Sequence, residues 1–163
     1  SINDPNPVLF FEHKALYRSI YQDVSEDYYT IEIGKASLLK EGNDVTIITY
    51  GAGVHWALDT LKTHPNISAD LIDLRTLQPL DESAIFTSAR KTGKVIFLQE
   101  DSLFGSISSD VSALITENCF EFLDAPVKRV ASIETPIPFQ GELEKQYLPK
   151  QRFAFELKAL IDY

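Results

Sequence analysis

Residues 44–81 read DVTIITYGAGVHWALDTLKTHPNISADLIDLRTLQPLD, and this stretch decides the fold class. Val45 to Tyr50 is a short apolar run rich in β-branched residues, which predicts a strand. Apolar residues then recur at helical spacing, at Val54, Ala57, Leu58 and Leu61. Pro65 ends that helix, and a second buried-type run follows from Ala69 to Leu74. Strand, helix and strand in this order predict a right-handed crossover between two parallel strands that are buried on both faces.

The rest of the chain predicts further elements around this unit. Residues 30–39 supply a lead-in and a strand, and the turn at residues 41–44 would pair that strand antiparallel with the first strand of the unit. The later elements are a helix from Asp81 to Gly93, a strand from Val95 to Leu98, a helix from about Ser106 to Cys119, a strand from Val127 to Ile133 and a closing helix that carries Phe153 and Leu157. We therefore expect a mostly parallel sheet that is mixed at one edge.

The first 28 residues differ in character from this alternating pattern. They contain one short strand candidate, Val8 to Phe11, and a charged, tyrosine-rich stretch. We predict that residues 1–28 are a linker from a missing upstream domain and that residues 29–163 form the domain itself. The chain contains no methionine, and we expect it to be a fragment of a longer protein.

Composition excludes several classes of function. The formal net charge is −9 and no basic cluster is present, which argues against nucleic acid as a partner. No apolar run approaches the ~18 residues of a membrane span. Cys119 is the only cysteine, so an intrachain disulfide is excluded, and helical spacing predicts that its side chain is buried in the core.

Acidic residues are concentrated in one third of the chain. Between Val95 and Val127 there is no lysine or arginine, and the carboxylates there are Glu100, Asp101, Asp110, Glu117, Glu121 and Asp124. Such a stretch would attract a basic partner. A solvated acidic surface and a docking face both agree with this pattern.

Motifs for chemistry are largely missing. Gly51 and Gly53 follow a strand as in a dinucleotide-binding loop, but the third glycine of that motif would fall at Trp56, which argues against a nucleotide site. His13, His55 and His64 are far apart and have no metal-ligand spacing, so we predict no metal site.

Asp73 and Arg75 flank Leu74 on one face of the second parallel strand. A structural ion pair or a subunit contact is the simpler interpretation of these two charges, and a catalytic role is the alternative.

Several stretches together carry a family resemblance. Residues 6–18 read NPVLFFEHKALYR, residues 41–46 read EGNDVT, residues 72–81 read IDLRTLQPLD, residues 124–130 read DAPVKRV and residues 134–138 read ETPIP. In this order they resemble the beta chain of thiamine-diphosphate-dependent 2-oxo acid dehydrogenases over nearly the whole chain. Residues 10–18 and the run ending at Phe120 look most like the branched-chain, 2-oxoisovalerate members. His13 stands where many relatives carry proline.

The resemblance implies a transketolase C-terminal-like domain. That is an α/β fold of three layers, with a mixed, mostly parallel sheet of about five strands and helices on both faces. It also implies that the groups that activate thiamine diphosphate lie in the upstream domain, and that the diphosphate and Mg²⁺ bind to the alpha chain. No G-D-G motif with a downstream asparagine occurs here. We therefore expect no catalytic, cofactor-binding or metal-binding residue in this fragment and expect the isolated fragment to be inactive.

The resemblance also implies partners. The parent would catalyse oxidative decarboxylation of a 2-oxo acid, with acyl transfer to a lipoyl group, in branched-chain amino acid catabolism. This domain would pair beta chains, contact an alpha chain and dock the acyltransferase component of a multienzyme complex. The location would be the cytoplasm, or the mitochondrial matrix in a eukaryote. The alternative is the same domain of a pyruvate-specific dehydrogenase or of a transketolase-type enzyme.

Overall fold

The computed structural model describes residues 1–163 and divides into two compact units, residues 1–31 and residues 32–163. In the first unit the regular element is a 3₁₀ turn, Lys14–Arg18. The predicted strand Val8 to Phe11 is wrong, because no strand forms there and these side chains are exposed. An isolated apolar run has no neighbouring strand to complete its hydrogen bonds. The linker assigned to residues 1–28 stays a prediction.

The second unit alternates strands and helices. Its strands are β1 (Ser37–Lys40), β2 (Val45–Thr49), β3 (Ala69–Asp73), β4 (Val95–Ser102) and β5 (Lys128–Ser132). Its helices are α1 (Ala52–Thr63), α2 (Glu82–Thr92), α3 (Ile107–Cys119), α4 (Gly141–Tyr147) and α5 (Lys150–Ile161). A 3₁₀ turn, Phe120–Phe122, follows α3. The sequence predictions have no counterpart for α4. None of these helices has the length and apolar composition needed to cross a membrane.

The five strands form one sheet in the order β1-β3-β2-β4-β5. β2 pairs parallel with β3 and with β4, and β4 pairs parallel with β5. The prediction that the sheet is mixed at one edge is confirmed. The predicted partner of β1 is wrong: β1 pairs antiparallel with β3 and not with β2. Since parallel neighbours occupy both edges of β2, the free edge of β3 is the one that β1 can join.

Helices cover both faces of the sheet. On one face, α1 and α5 bury Ala57, Phe153 and Leu157 against the strands. On the other face, Ile85 of α2 and Val111 of α3 lie in a second buried cluster. All five residues of β2 are buried, as expected of a parallel strand inside a three-layer α/β fold. Cys119 lies fully buried in the second cluster, which confirms its predicted core position.

Capping residues set the ends of α2 as the sequence predicts. The Oδ1 atom of Asp81 accepts a hydrogen bond from the backbone N–H of Ala84 at 3.2 Å, which satisfies one of the free donors at the start of a helix. Gly93 ends the helix with a φ of 67°, in the left-handed region that glycine adopts without steric cost.

A buried carboxylate joins α2 to the sheet. Asp70 of β3 is 1% exposed, and its Oδ1 atom accepts from Lys91 Nζ at 2.6 Å and from the backbone N–H of Gly42 at 2.9 Å. Its Oδ2 atom accepts from the Ser88 hydroxyl at 2.5 Å. The Thr46 hydroxyl of β2 lies 2.6 Å from Ser88 Oγ and extends the network. Both carboxylate oxygens of Asp70 are thus hydrogen-bonded, as a buried charge requires.

Gly42 is the tightest point of this arrangement. A Cβ atom built there would collide with backbone atoms of Ser68 and Ala69, where β3 begins. Those atoms are held by the pairing of β3 with β2 and cannot move independently of the sheet.

We expect Gly42→Ala to lower the free energy of unfolding by roughly 1–3 kcal/mol, because the added methyl group overpacks the turn. Gly141→Ala is the matched control, since a Cβ atom at Gly141 meets open space, and its effect should stay within about 0.5 kcal/mol. Urea unfolding followed by circular dichroism measures both. Equal losses in the two variants would contradict this account of the turn.

Candidate functional site at the carboxyl edge of the sheet

The topology places a crevice between β2 and β4. The chain leaves β2 to form β3 on one side and later returns to form β4 on the other side. In open α/β sheets ligands bind outside the carboxyl ends of the strands at such a switch point. Tyr50 follows β2 at this edge, and Glu100 and Asp101 lie near the end of β4.

Tyr50 is the titratable group whose environment is most altered at this edge. Its ring is half-buried and meets Phe97 edge to face, with the ring centroids 6.3 Å apart. Burial raises the pKa of the Tyr50 phenol, and the negative charges of Asp101 and Glu100 raise it further. The phenol therefore remains a neutral hydrogen-bond donor.

The glycine pair next to Tyr50 has a packing role. Gly51 has a φ of 56°, which glycine tolerates. A Cβ atom at Gly53 would collide with Thr49 Oγ1 and lie 3.3 Å from the carbonyl oxygen of Leu98, so glycine lets α1 approach the sheet closely. Trp56 occupies the position of the third glycine of a dinucleotide motif and packs against the core.

Polar side chains at the end of β4 stabilise their own loop. Gln99 is fully buried, its Nε2 atom donates to the carbonyl of Ser102 at 2.6 Å, and its Oε1 atom accepts from the N–H of Ser108 at 3.3 Å. The Ser132 hydroxyl donates to the carbonyl of Glu100 at 2.5 Å and joins β5 to β4. The hydrogen bonds of Gln99 and Ser132 therefore hold the ends of β4 and β5 in place.

The structure separates the six acidic docking candidates. Glu100 and Asp101 lie together at the carboxyl edge near Tyr50. Asp110 and Glu117 lie on α3, seven residues and therefore about two helical turns apart, on one side of the helix. Glu121 lies in the 3₁₀ turn after α3 and Asp124 follows that turn. Asp110, Glu117 and Glu121 are exposed and define an acidic strip along α3 and the turn after it, whereas Glu100 and Asp101 lie at the carboxyl edge of the sheet.

Two arginines from neighbouring elements border this strip. Arg129 of β5 donates to the Ser109 hydroxyl at 2.6 Å. Arg90 of α2 donates to the carbonyl of Asn118 at 3.1 Å, and its guanidinium carbon lies 5.6 Å from the ring centroid of Phe122. The face around α3 thus combines exposed carboxylates with two anchored cations, which the linear sequence does not show.

Asp73 and Arg75 both lie at the carboxyl end of β3. The Nε atom of Arg75 is 4.0 Å from the Oδ2 atom of Asp73, and its backbone N–H donates to the Oδ1 atom at 3.2 Å. Arg75 has a φ of 55°, in a region that costs a residue with a Cβ atom about 1–2 kcal/mol. A partly exposed ion pair with a 4.0 Å separation adds little stability. The interpretation of these two charges as a subunit contact remains a prediction.

Exposed apolar side chains on two loops were not found by sequence reasoning. Phe104 is 86% exposed, Ile137 is 69% exposed and Phe139 is fully exposed. The loop after β4 and the loop after β5 adjoin, because the N–H of Phe104 donates to the Oε1 atom of Glu134 at 2.8 Å. We call Phe104, Ile137 and Phe139 the carboxyl-edge patch. Ile137 and Phe139 could have been found from the sequence, because they lie in a proline-rich segment that cannot form regular structure.

The described residues do not form a cluster that fits a metal ion. No group of three or more His, Cys, Asp or Glu side chains is placed to hold a metal ion. His64 Nδ1 lies 3.0 Å from the carbonyl of Thr60 at the end of α1, and His55 lies half-buried on the same helix. We therefore derive no catalytic step through thiamine diphosphate for this chain.

Comparison with known proteins identifies the family. Residues 34–152 match the family described as transketolase, C-terminal domain. The chain belongs to this family. A solved structure titled "Split gene transketolase, inactive beta4 tetramer" superposes with a TM-score of 0.72 at 28% identity, over 88% of this chain and 46% of that one. The expected transketolase C-terminal-like fold is confirmed.

Three curated relatives are beta subunits of Bacillus subtilis (strain 168) enzymes. The 2-oxoisovalerate dehydrogenase subunit beta is 47% identical over 151 residues, covering 91% of this chain and 46% of the relative. The acetoin:2,6-dichlorophenolindophenol oxidoreductase subunit beta is 46% identical, covering 91% and 44%. The pyruvate dehydrogenase E1 component subunit beta is 45% identical over 159 residues, covering 96% and 48%. The chain thus spans about half the length of these relatives, and the expected resemblance to the dehydrogenase beta chains is confirmed.

The Tyr50 environment gives a testable pH dependence. The folded pKa lies above the ordinary value of 10.0, so the stability that Tyr50 contributes is present below about pH 10 and is lost as the pH rises through the folded pKa. Asp101→Asn removes one of the charges that raise the pKa, and Tyr50 should then ionise at lower pH.

Tyrosinate absorbance, taken as the difference between each protein and its Tyr50→Phe counterpart, measures this shift. Asp110→Asn is the control, since Asp110 is not among the groups that shift the Tyr50 pKa, and it should leave the titration unchanged. An unchanged Tyr50 titration in Asp101→Asn would contradict the proposed coupling.

Proposed function

We propose that this chain is the C-terminal domain of the beta subunit of a 2-oxo acid dehydrogenase, and that it contributes association and docking rather than chemistry. Membership of the transketolase C-terminal domain family and the names of the three relatives support this proposal. The observation that supports it is the different placement of buried polar side chains and of exposed apolar and acidic side chains. Buried polar groups such as Asp70 and Gln99 are used within the fold, whereas apolar and acidic side chains are left at the surface.

The carboxyl-edge patch is the proposed surface for association with a second beta chain. Burying one large apolar side chain contributes about 1.5–3 kcal/mol, and three such residues in one contact are a substantial driving force. Exposed apolar groups on adjoining loops are typical of association surfaces. The similar solved structure is titled as a beta4 tetramer, so beta chains associate with each other in that protein.

The acidic strip along α3 is the proposed docking face for the acyltransferase component. Asp110, Glu117 and Glu121 are exposed. The anchored Arg90 and Arg129 would orient a basic partner, because like charges across a contact are unfavourable. This arrangement favours a partner whose basic residues contact the carboxylates and avoid the two arginines.

The parent reaction would be oxidative decarboxylation of a 2-oxo acid, with the acyl group passed to a lipoyl group whose disulfide is reduced. The parent enzyme would use thiamine diphosphate and Mg²⁺ bound outside this chain, and an alpha chain would complete it. We propose 2-oxoisovalerate as the substrate type and the cytoplasm, or the mitochondrial matrix in a eukaryote, as the location. The isolated chain would be inactive.

A pyruvate-specific parent is the alternative. The pyruvate dehydrogenase relative is 45% identical over 159 residues, close to the 47% over 151 residues of the 2-oxoisovalerate relative. Turnover of 3-methyl-2-oxobutanoate and of pyruvate by the intact parent enzyme distinguishes the two.

Docking to a basic subunit-binding domain of an acyltransferase component should depend strongly on salt. By calorimetry we expect affinity to fall at least about tenfold between low and physiological ionic strength. The triple variant Asp110→Asn, Glu117→Gln and Glu121→Gln should weaken binding at low salt.

The matched control removes the same charge from the first unit, with Asp23→Asn, Glu26→Gln and Asp27→Asn, and should bind as the unaltered chain does. The docking proposal fails if no binding occurs at low salt. It also fails if both triple variants lose affinity equally, because the attraction would then be a property of net charge.

A further inference from the structure

A cavity of about 360 Å³ lies between α2 and the edge strands β1 and β3. α2 contributes Ser83, Thr87 and Lys91 to its lining, and Lys35 lies just before β1. This volume is at the lower end of the range for small-molecule sites in proteins.

The hydrogen-bond acceptors at this cavity are already used. Both carboxylate oxygens of Asp70 accept hydrogen bonds within the fold. Asp81 accepts from the N–H of Ala84 through Oδ1 and from the N–H of Ala36 through Oδ2, at 3.2 and 3.1 Å. Each of the four carboxylate oxygens thus already accepts at least one hydrogen bond from the fold.

The hydrogen-bond donors at the cavity are available. The Lys91 side chain is 40% exposed and its ammonium group makes one hydrogen bond, to Asp70, of the three that it can donate. Thr87 lies one helical turn before Lys91, so both side chains lie on the same side of α2. Neither Ser83 nor Thr87 makes a side-chain hydrogen bond within the chain, and Lys35 forms no ion pair. The lining contains two lysines and two aspartates and therefore has no formal net charge, and what it offers to a ligand is unused hydrogen-bond donors.

The remaining wall of the cavity is apolar. Leu38 of β1 is 47% exposed, Ile72 of β3 forms the buried floor, and Ala84 of α2 adds a methyl group. A ligand that satisfies both parts of the lining carries an anionic group at one end and a short hydrocarbon body at the other.

We propose that this cavity binds a small aliphatic carboxylate. The carboxylate accepts hydrogen bonds from the Lys91 ammonium group and the Thr87 hydroxyl, with Lys35 adding positive charge. The hydrocarbon body packs on Leu38 and Ile72. The net charge of −9 opposes an anion, so binding is modest, in the millimolar range. This inference does not depend on the proposed docking or association.

Titration of the isotope-labelled 163-residue chain by two-dimensional NMR tests the proposal, with sodium 4-methylpentanoate as the probe. We expect saturable shifts confined to amides of residues 35–38 and 83–91. Sodium phosphate, an anion without a hydrocarbon body, should bind at least about tenfold more weakly.

Lys35→Gln and Thr87→Val leave the Asp70 network intact and should each weaken binding of the carboxylate by about fivefold or more. Lys158→Gln, on α5 at the opposite face of the sheet, is the matched control and should bind as the unaltered chain does. Non-saturable shifts, equal affinity for phosphate, or affinity in Lys35→Gln and Thr87→Val equal to that of the control would each overturn the proposal.

Discussion

The structure depends on the burial of β2 on both faces and along both edges. Parallel neighbours β3 and β4 take its backbone hydrogen bonds, and helices cover both faces of the sheet. Its two threonines are therefore fully buried, and Thr46 is satisfied through Ser88 and Thr92 of α2. A strand enclosed in this way leaves the strand ends and the outer helix surfaces for function.

Asp70 extends this constraint to the neighbouring elements. One carboxylate holds the turn at Gly42, the start of β3 and two residues of α2 in a fixed arrangement. The same contacts occupy both carboxylate oxygens of Asp70 where they line the cavity next to α2. The Asp70 network thus stabilises the fold and also supplies part of the cavity lining.

Local signals in the sequence predicted the central part of the fold. The change from strand-like to helical spacing of apolar residues, together with Pro65, is sufficient to predict β2, α1 and β3. Asp81 and Gly93 mark the ends of α2, because capping is a local interaction. The partner of β1 could not be predicted in this way, since it depends on which strand edges others already occupy. The environment of Asp70 was missed for the same reason, because Gly42 and Lys91 are 28 and 21 residues away in the chain.

The candidate surfaces also depend on contacts between distant parts of the chain, which local sequence signals do not reveal. A count along the sequence found the acidic stretch between Val95 and Val127, but Arg90 and Arg129 come to α3 from elements outside it. The apolar residues of the carboxyl-edge patch were not predicted to be exposed, because apolar side chains are ordinarily buried. Their exposure follows from two loops that extend beyond the covered faces of the sheet, joined by Phe104 and Glu134.

The central claim is that the carboxyl-edge patch is a contact between beta chains, and sedimentation velocity of the 163-residue chain over a range of concentrations tests it most directly. The account predicts reversible self-association that Phe104→Ser combined with Phe139→Ser abolishes. Phe155→Ser, at an exposed phenylalanine of α5, should leave it unchanged. A monomer at every concentration, or equal association in the patch variant and the unaltered chain, would contradict the claim.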